Sequence, residues 1–146
     1  MRIPYPYFLE MTAPETMPAR TSEVNPPAGK ELVSIATFLP VRRWVDVIPF
    51  LRMSSKVSGQ LMKSDVVRFG VKTDLLHKRF WTVSVWSDRV AMRRFVAAEP
   101  HATAVKRFAK WAGPGAAFAE WTDEDGPIDW DVAKEKMKKP SFYYKG

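Results

Sequence analysis

The stretch Phe80–Trp86, FWTVSVW, decides how the rest of the chain is read. Successive side chains of an extended strand point to opposite faces. Phe80, Thr82, Ser84 and Trp86 therefore share one face, and Trp81, Val83 and Val85 share the other. Neither set suits water, so the strand belongs inside a sheet that is covered on both sides. Upstream, ELVSIATFLPV (31–41) behaves in the same way, with Val33, Ile35, Thr37 and Leu39 opposing Leu32, Ser34, Ala36 and Phe38. DVVRFGVKTD (65–74) sets Val67, Phe69 and Val71 against Arg68, Gly70 and Lys72, a strand with one wetter face. AAFAEW (116–121) is a fourth, shorter strand.

Helical periodicity fills the gaps. Trp44, Val47, Ile48, Leu51, Ser55, Ser58, Leu61 and Met62 recur at spacings of three and four, the pattern of an amphipathic helix of about five turns. Pro49 marks a kink or a later start. SDRVAMRRF opens a second helix capped by Ser87 or Asp88, with Met92, Phe95 and Val96 as its apolar stripe. Pro100 breaks that helix or begins a new one, because it lacks the amide proton and disfavours helical geometry in Glu99. HATAVKRFAKW then carries Ala102, Val105, Phe108 and Ala109 on one side as far as the GPG stop at 113–115.

The order β-α-β-β-α-β predicts an α+β, ferredoxin-like fold, an antiparallel sheet with helices on one face. Its other face is equally apolar, and a second copy packed against it is the most economical cover. A homodimer that closes an α/β barrel is therefore expected. Six of the twelve prolines (Pro4, Pro6, Pro14, Pro18, Pro26 and Pro27) precede Gly29. Residues 1–30 thus read as an extended Pro-rich arm, 31–122 as the domain, and 123–146 as a C-terminal extension with a short helix at DWDVAKEKMKK.

Composition narrows the chemistry. With no cysteine, a disulfide framework, a thiolate zinc site and a cysteine nucleophile are all excluded. His77 and His101 are the only histidines, too few for a protein-only metal cage, although one imidazole can ligate haem iron. The net charge is +7, but the basic residues lie on the wet faces of two helices, so nucleic acid is not an expected partner. No window approaches about 18 uncharged apolar residues, and the amino terminus lacks the run a signal peptide needs. A cytoplasmic protein without a membrane span is expected. Paired carboxylates, a nucleophile elbow and a phosphate-cradling glycine loop are missing, which removes support for hydrolysis and phosphoryl transfer.

From Phe80 to Trp121 the pattern is an aromatic strand ending in Trp86, an acidic turn, Ala91 and Phe95 on a helix, His101, and a closing strand at Trp121. It resembles the antibiotic-biosynthesis monooxygenase-like superfamily of dimeric α/β barrels, and within it the spheroidene monooxygenase branch and its uncharacterised relatives. The resemblance spans about Leu32 to Trp121. It implies an oxygenase-like enzyme, cofactor-free or haem-dependent, acting on a hydrophobic aromatic or isoprenoid small molecule; a non-catalytic small-molecule or haem-binding protein of the same fold is the alternative. The haem-degrading branch carries a first-strand Asn and a Trp and a His on its second helix. Here Phe95 and Val105 stand at those helix positions, and the first strand has no Asn.

The resemblance places a pocket between sheet and helices, with Phe38, Trp44, Trp81, Trp86 and Phe95 as candidate lining. Thr82 and Ser84 share the strand face of Trp86 and can orient an oxygen-bearing substrate. His101 is the candidate catalytic residue: a neutral imidazole removes a proton from an activated phenol or enol, or serves as a haem ligand.

Overall fold

The computed structural model describes residues 17–24, 31–124 and 128–144. Its elements, in chain order, are β1 (Met17–Glu23), β2 (Glu31–Pro40), α1 (Trp44–Met62), β3 (Val66–Asp74), β4 (Arg79–Trp86), α2 (Arg89–Ala97), α3 (His101–Trp111), β5 (Ala117–Glu124), α4 (Trp130–Lys136) and β6 (Phe142–Tyr143). The strands form one sheet in the order β1-β3-β4-β2-β5-β6, and every pairing is antiparallel. The four central strands with α1, α2 and α3 make the ferredoxin-like α+β unit. Part of the Pro-rich arm, Met17–Glu23, extends the sheet by pairing with β3, and the aromatic carboxyl end adds β6 beside β5.

Local chemistry places the helix boundaries. Asp88, not Ser87, caps α2: its carboxylate accepts from the Ala91 amide at 2.8 Å. Pro100 separates α2 from α3. Asp129 caps α4 by accepting from the amides of Asp131 and Val132. In α1 the buried side chains are Asp46, Val47, Phe50 and Met53. Trp44, Ile48, Leu51 and Met62, assigned to the inward stripe by periodicity, face solvent instead. An apolar residue on each side of a helix satisfies the same spacing rule, and only docking onto the sheet selects which side is buried.

Between the sheet and α1–α3 the core divides in two. At one end Val47, Phe50 and Phe108 pack with Phe80, Val41, Ala112 and Ala116. At the other, Trp86, Val33 and Val66 pack with Ala91, Met92 and Phe95.

The opposite sheet face, expected to receive a second copy, is covered by the chain's own C-terminal extension. Leu32, Phe38, Trp81, Val83 and Val85 are buried beneath Ala133 and Met137, with Ile128 and Trp130 packed at the margin. Surface chemistry on this face therefore does not require a partner subunit. The wetter face assigned to β3 proves to be part of the same layer. Arg68 is buried and pairs with Glu23 of β1 at 2.8 Å, Lys72 lies over the Trp130 ring, and Gly70 sits directly below that indole. Gly70 is small because it must be: a Cβ there would stand 3.0 Å from both Trp130 Cζ2 and the Arg20 carbonyl oxygen, and 3.1 Å from Thr21. Gly70→Ala is expected to cost about 1–3 kcal/mol, read as a lower denaturation midpoint with altered tryptophan fluorescence. An unchanged midpoint would show that neither α4 nor β1 is seated as described.

Candidate functional site

Register brings together a belt of half-buried residues midway along the helix-facing side of the sheet. Thr37 lies opposite Thr82, and Ile35 opposite Ser84. Phe69 and Val71 of β3 align with Ser84 and Thr82, while Phe118 and Glu120 of β5 align with Thr37 and Ile35. All eight are only partly buried, whereas the two apolar clusters flanking them are closed. On the reverse face of the same strands Ala36, Phe38, Trp81 and Val83 are fully covered. The sheet surface under the helices is thus accessible in its middle and sealed at both ends.

Two hydroxyl protons lie unused in this belt. Thr37 and Thr82 hydrogen-bond to one another. One hydroxyl donates to the other, which leaves the second proton without an acceptor among the described residues. Ser84 Oγ accepts from the Trp86 indole N–H at 3.0 Å, and its own proton has no acceptor among the described residues. A partly exposed strip of sheet in which two hydroxyl donors lie among Ile35, Phe69, Val71 and Phe118 suits a hydrophobic molecule that bears oxygen.

His101 stands at the head of α3, beyond the Trp86 end of the belt. Its Nδ1 lies 3.1 Å from the Val96 carbonyl. A carbonyl can only accept, so Nδ1 carries the proton and Nε2 carries the lone pair in the neutral ring. Burial pushes the imidazole pKa below its ordinary value, against a smaller raising effect of the Val96 bond. The backbone is held by Gln60 of α1, whose side chain accepts from the His101 amide at 2.8 Å and donates to the Phe95 carbonyl at 3.0 Å. Toward the sheet the ring meets Phe95, with centroids 4.8 Å apart, and Phe95 meets Trp86 at 5.1 Å. Trp86 and Phe95 are both buried. This packing does not fit a haem ligated by His101 on its sheet side: the volume a porphyrin plane would occupy there is filled by rings.

The candidate residues thus divide into three groups. Thr82 and Ser84 line the belt, and Trp86 and Phe95 wall its far end between belt and His101. Phe38 and Trp81 stack on each other, with centroids 5.4 Å apart, on the opposite sheet face under α4. Trp44 is 56% exposed at the start of α1, with Lys78 over its ring. None of these last three lines the belt. Thr37 joins the site only through its cross-strand position opposite Thr82, which no single-strand pattern announces. Asp74, His77 and Arg79 form a separate group. The buried Asp74 carboxylate pairs with the buried Arg79 guanidinium and accepts from His77 Nδ1 at 2.8 Å. Among the described residues no cluster of metal-ligating side chains occurs.

Comparison with solved structures identifies the architecture. The fold is similar to that of antibiotic-biosynthesis monooxygenases. One protein of that description is 11% identical and matches 65% of this chain and 99% of its own, with a TM-score of 0.53. SnoaB, a cofactor-independent oxygenase from Streptomyces nogalater, is 13% identical over 68% of this chain and 97% of its own, with a TM-score of 0.50. LmHde, a heme-degrading enzyme from Listeria monocytogenes, is 12% identical over 73% of this chain and 68% of its own, with a TM-score of 0.55. In two longer neighbours, from Lactobacillus acidophilus and Fusobacterium nucleatum, the match spans about half of their length, 47% and 52%. No family model matches the sequence, and no curated protein is significantly similar to it. At such identities the likeness carries the fold and leaves the reaction to the residues.

Proposed function

We propose that the chain is an oxygenase-like enzyme that holds a hydrophobic, oxygen-bearing aromatic or isoprenoid molecule across the central belt. Carrying this reading is the pair of hydroxyl protons without an acceptor among the described residues, at Thr37–Thr82 and at Ser84, set in a partly exposed strip beside Ile35, Phe69, Val71 and Phe118. His101 is the candidate base; the Phe95 ring that stands between it and the belt must swing aside for a bound substrate to reach it. With the proton on Nδ1, Nε2 offers the lone pair that removes a proton from an activated phenol or enol; the resulting carbanion forms a C–O bond to O2, and the hydroperoxide loses water to leave a carbonyl, the substrate itself supplying the electrons. The monooxygenase-like neighbours support this reading at the level of fold. Assignment to the spheroidene monooxygenase branch rests on the sequence pattern between Phe80 and Trp121 alone. Homodimerisation through the outer sheet face would require α4 to move aside, and the proposed site needs no second copy.

The closing of the His101 sheet side by Phe95 and Trp86 favours a second reading, a non-catalytic binding protein using the same belt. Oxygen uptake with an aromatic quinol separates the two. Uptake by the wild type that falls about 10²- to 10⁴-fold in His101→Ala supports the enzyme. Binding without uptake, detected by quenching of Trp86 fluorescence, would leave only the binding protein. In either case Thr82→Val is expected to weaken binding about three- to tenfold, the worth of one hydrogen bond. Because the folded His101 pKa lies below its usual 6.5, the neutral base is fully present above that pH. Uptake should therefore be flat from neutrality upward and decline only in acid, as the ring protonates.

A further inference from the structure

We infer that the outer face of α1 docks on an anionic lipid surface; this stands independently of the proposed reaction. Trp44, Val45, Ile48 and Leu51 are 56%, 69%, 57% and 39% exposed. At about 100° per residue they fall within an arc of about 120°, centred roughly opposite the arc that holds Val47, Phe50 and Met53. A surface helix needs only one apolar side to join a core, so the second side requires its own explanation. The turn between β3 and β4 adds to it. Lys78 packs over the Trp44 ring, and Leu75 and Leu76 in that turn are 37% and 69% exposed.

Charge around the stripe identifies the partner. From Arg42 to Lys63 the basic side chains are Arg42, Arg43, Arg52, Lys56 and Lys63, against a single carboxylate, Asp46. That carboxylate is buried and already paired with Arg43 at 2.9 Å. On the helical projection Arg52 and Lys56 flank Val45 at the edge of the apolar arc. A bulky apolar strip containing Trp, edged by Arg and Lys, has the chemistry of a helix lying in the headgroup region of an anionic bilayer. A second copy seated on the same stripe would bring like charges together, and a nucleic acid would leave the Trp, Val, Ile and Leu side chains unsatisfied. No described helix is long and apolar enough to cross a membrane, so the contact is peripheral.

The test is co-sedimentation of the full chain with phosphatidylcholine vesicles, with and without phosphatidylglycerol. The wild type should pellet with the anionic vesicles and release at high salt. Trp44→Ser/Ile48→Ser and Arg52→Glu/Lys56→Glu should each lower partitioning about tenfold or more. Every substituted side chain is solvent-facing, so unchanged circular dichroism and melting temperature separate lost binding from lost fold. The inference is overturned if the wild type stays in the supernatant, or if both double variants pellet as it does. It is equally overturned if sedimentation equilibrium shows an oligomer that Trp44→Ser/Ile48→Ser dissolves, since a protein partner would then own the stripe.

Discussion

Asp74→Ala is expected to lower the folding stability by about 3–5 kcal/mol, enough to leave a domain of ordinary stability largely unfolded at moderate denaturant concentrations. The Asp74 side chain is 2% exposed and its partner Arg79 7% exposed, so the pair has exchanged water for one another. Removing the carboxylate takes away the buried counter-charge of the Arg79 guanidinium at the start of β4, beside the Trp81 ring. The same carboxylate accepts from the His77 amide at 3.3 Å and from its Nδ1, so the turn from β3 to β4 loosens as well. Asp74→Asn keeps the shape and loses the charge, and should fall between the wild type and alanine. Burial alone would raise the Asp74 pKa, but the hydrogen bonds and charges of Arg79 and His77 outweigh it and hold the group below its usual 3.8. Its stabilisation is therefore complete above that value and is lost as pH falls through the depressed one. Urea titrations of wild type and Asp74→Asn should accordingly converge in strong acid. A stability difference that persists unchanged there would contradict the pairing.

The second large effect separates two tryptophans that look equivalent in the sequence. Trp81→Ala should cost about 3–5 kcal/mol, the range for emptying a buried aromatic site. Trp81 is 1% exposed, stacks on Phe38, and is roofed by the layer that includes Ala133 and Met137. Trp44→Ala should change stability by less than about 1 kcal/mol, since what it loses is an exposed contact with Lys78. Guanidinium denaturation of the two variants checks both values. Comparable losses would mean that the outer sheet face is not closed by α4.

These results mark where the one-dimensional pattern is informative. Alternation in Leu32–Leu39 and Phe80–Trp86 is a backbone property, and it survives intact as the register Phe38↔Trp81 and Thr37↔Thr82. In β3 the alternation fails near its start because a bulge between Val66 and Arg68 shifts the phase, so that Val66 and Val67 enter different clusters. Thr82 and Ser84 are recognisable as polar residues on an apolar strand, but Thr37 becomes a partner only once β2 is laid beside β4.

What the sequence alone determined is the order of the four central strands and their helices, the ferredoxin-like topology, and the fact that both faces of the central strands must be kept from water; the edge strands β1 and β6 emerged only in the tertiary structure. Periodicity says which side chains share a face, because strand and helix geometry are local. It does not say what covers that face. Only the tertiary structure decided that α4 seals the outer sheet surface, that α1 turns Val47 and Phe50 inward and Trp44 and Ile48 outward, and that Phe95 fills the space between His101 and Trp86. Each is a choice among apolar surfaces of similar chemistry, settled by which ones the chain can bring together in space.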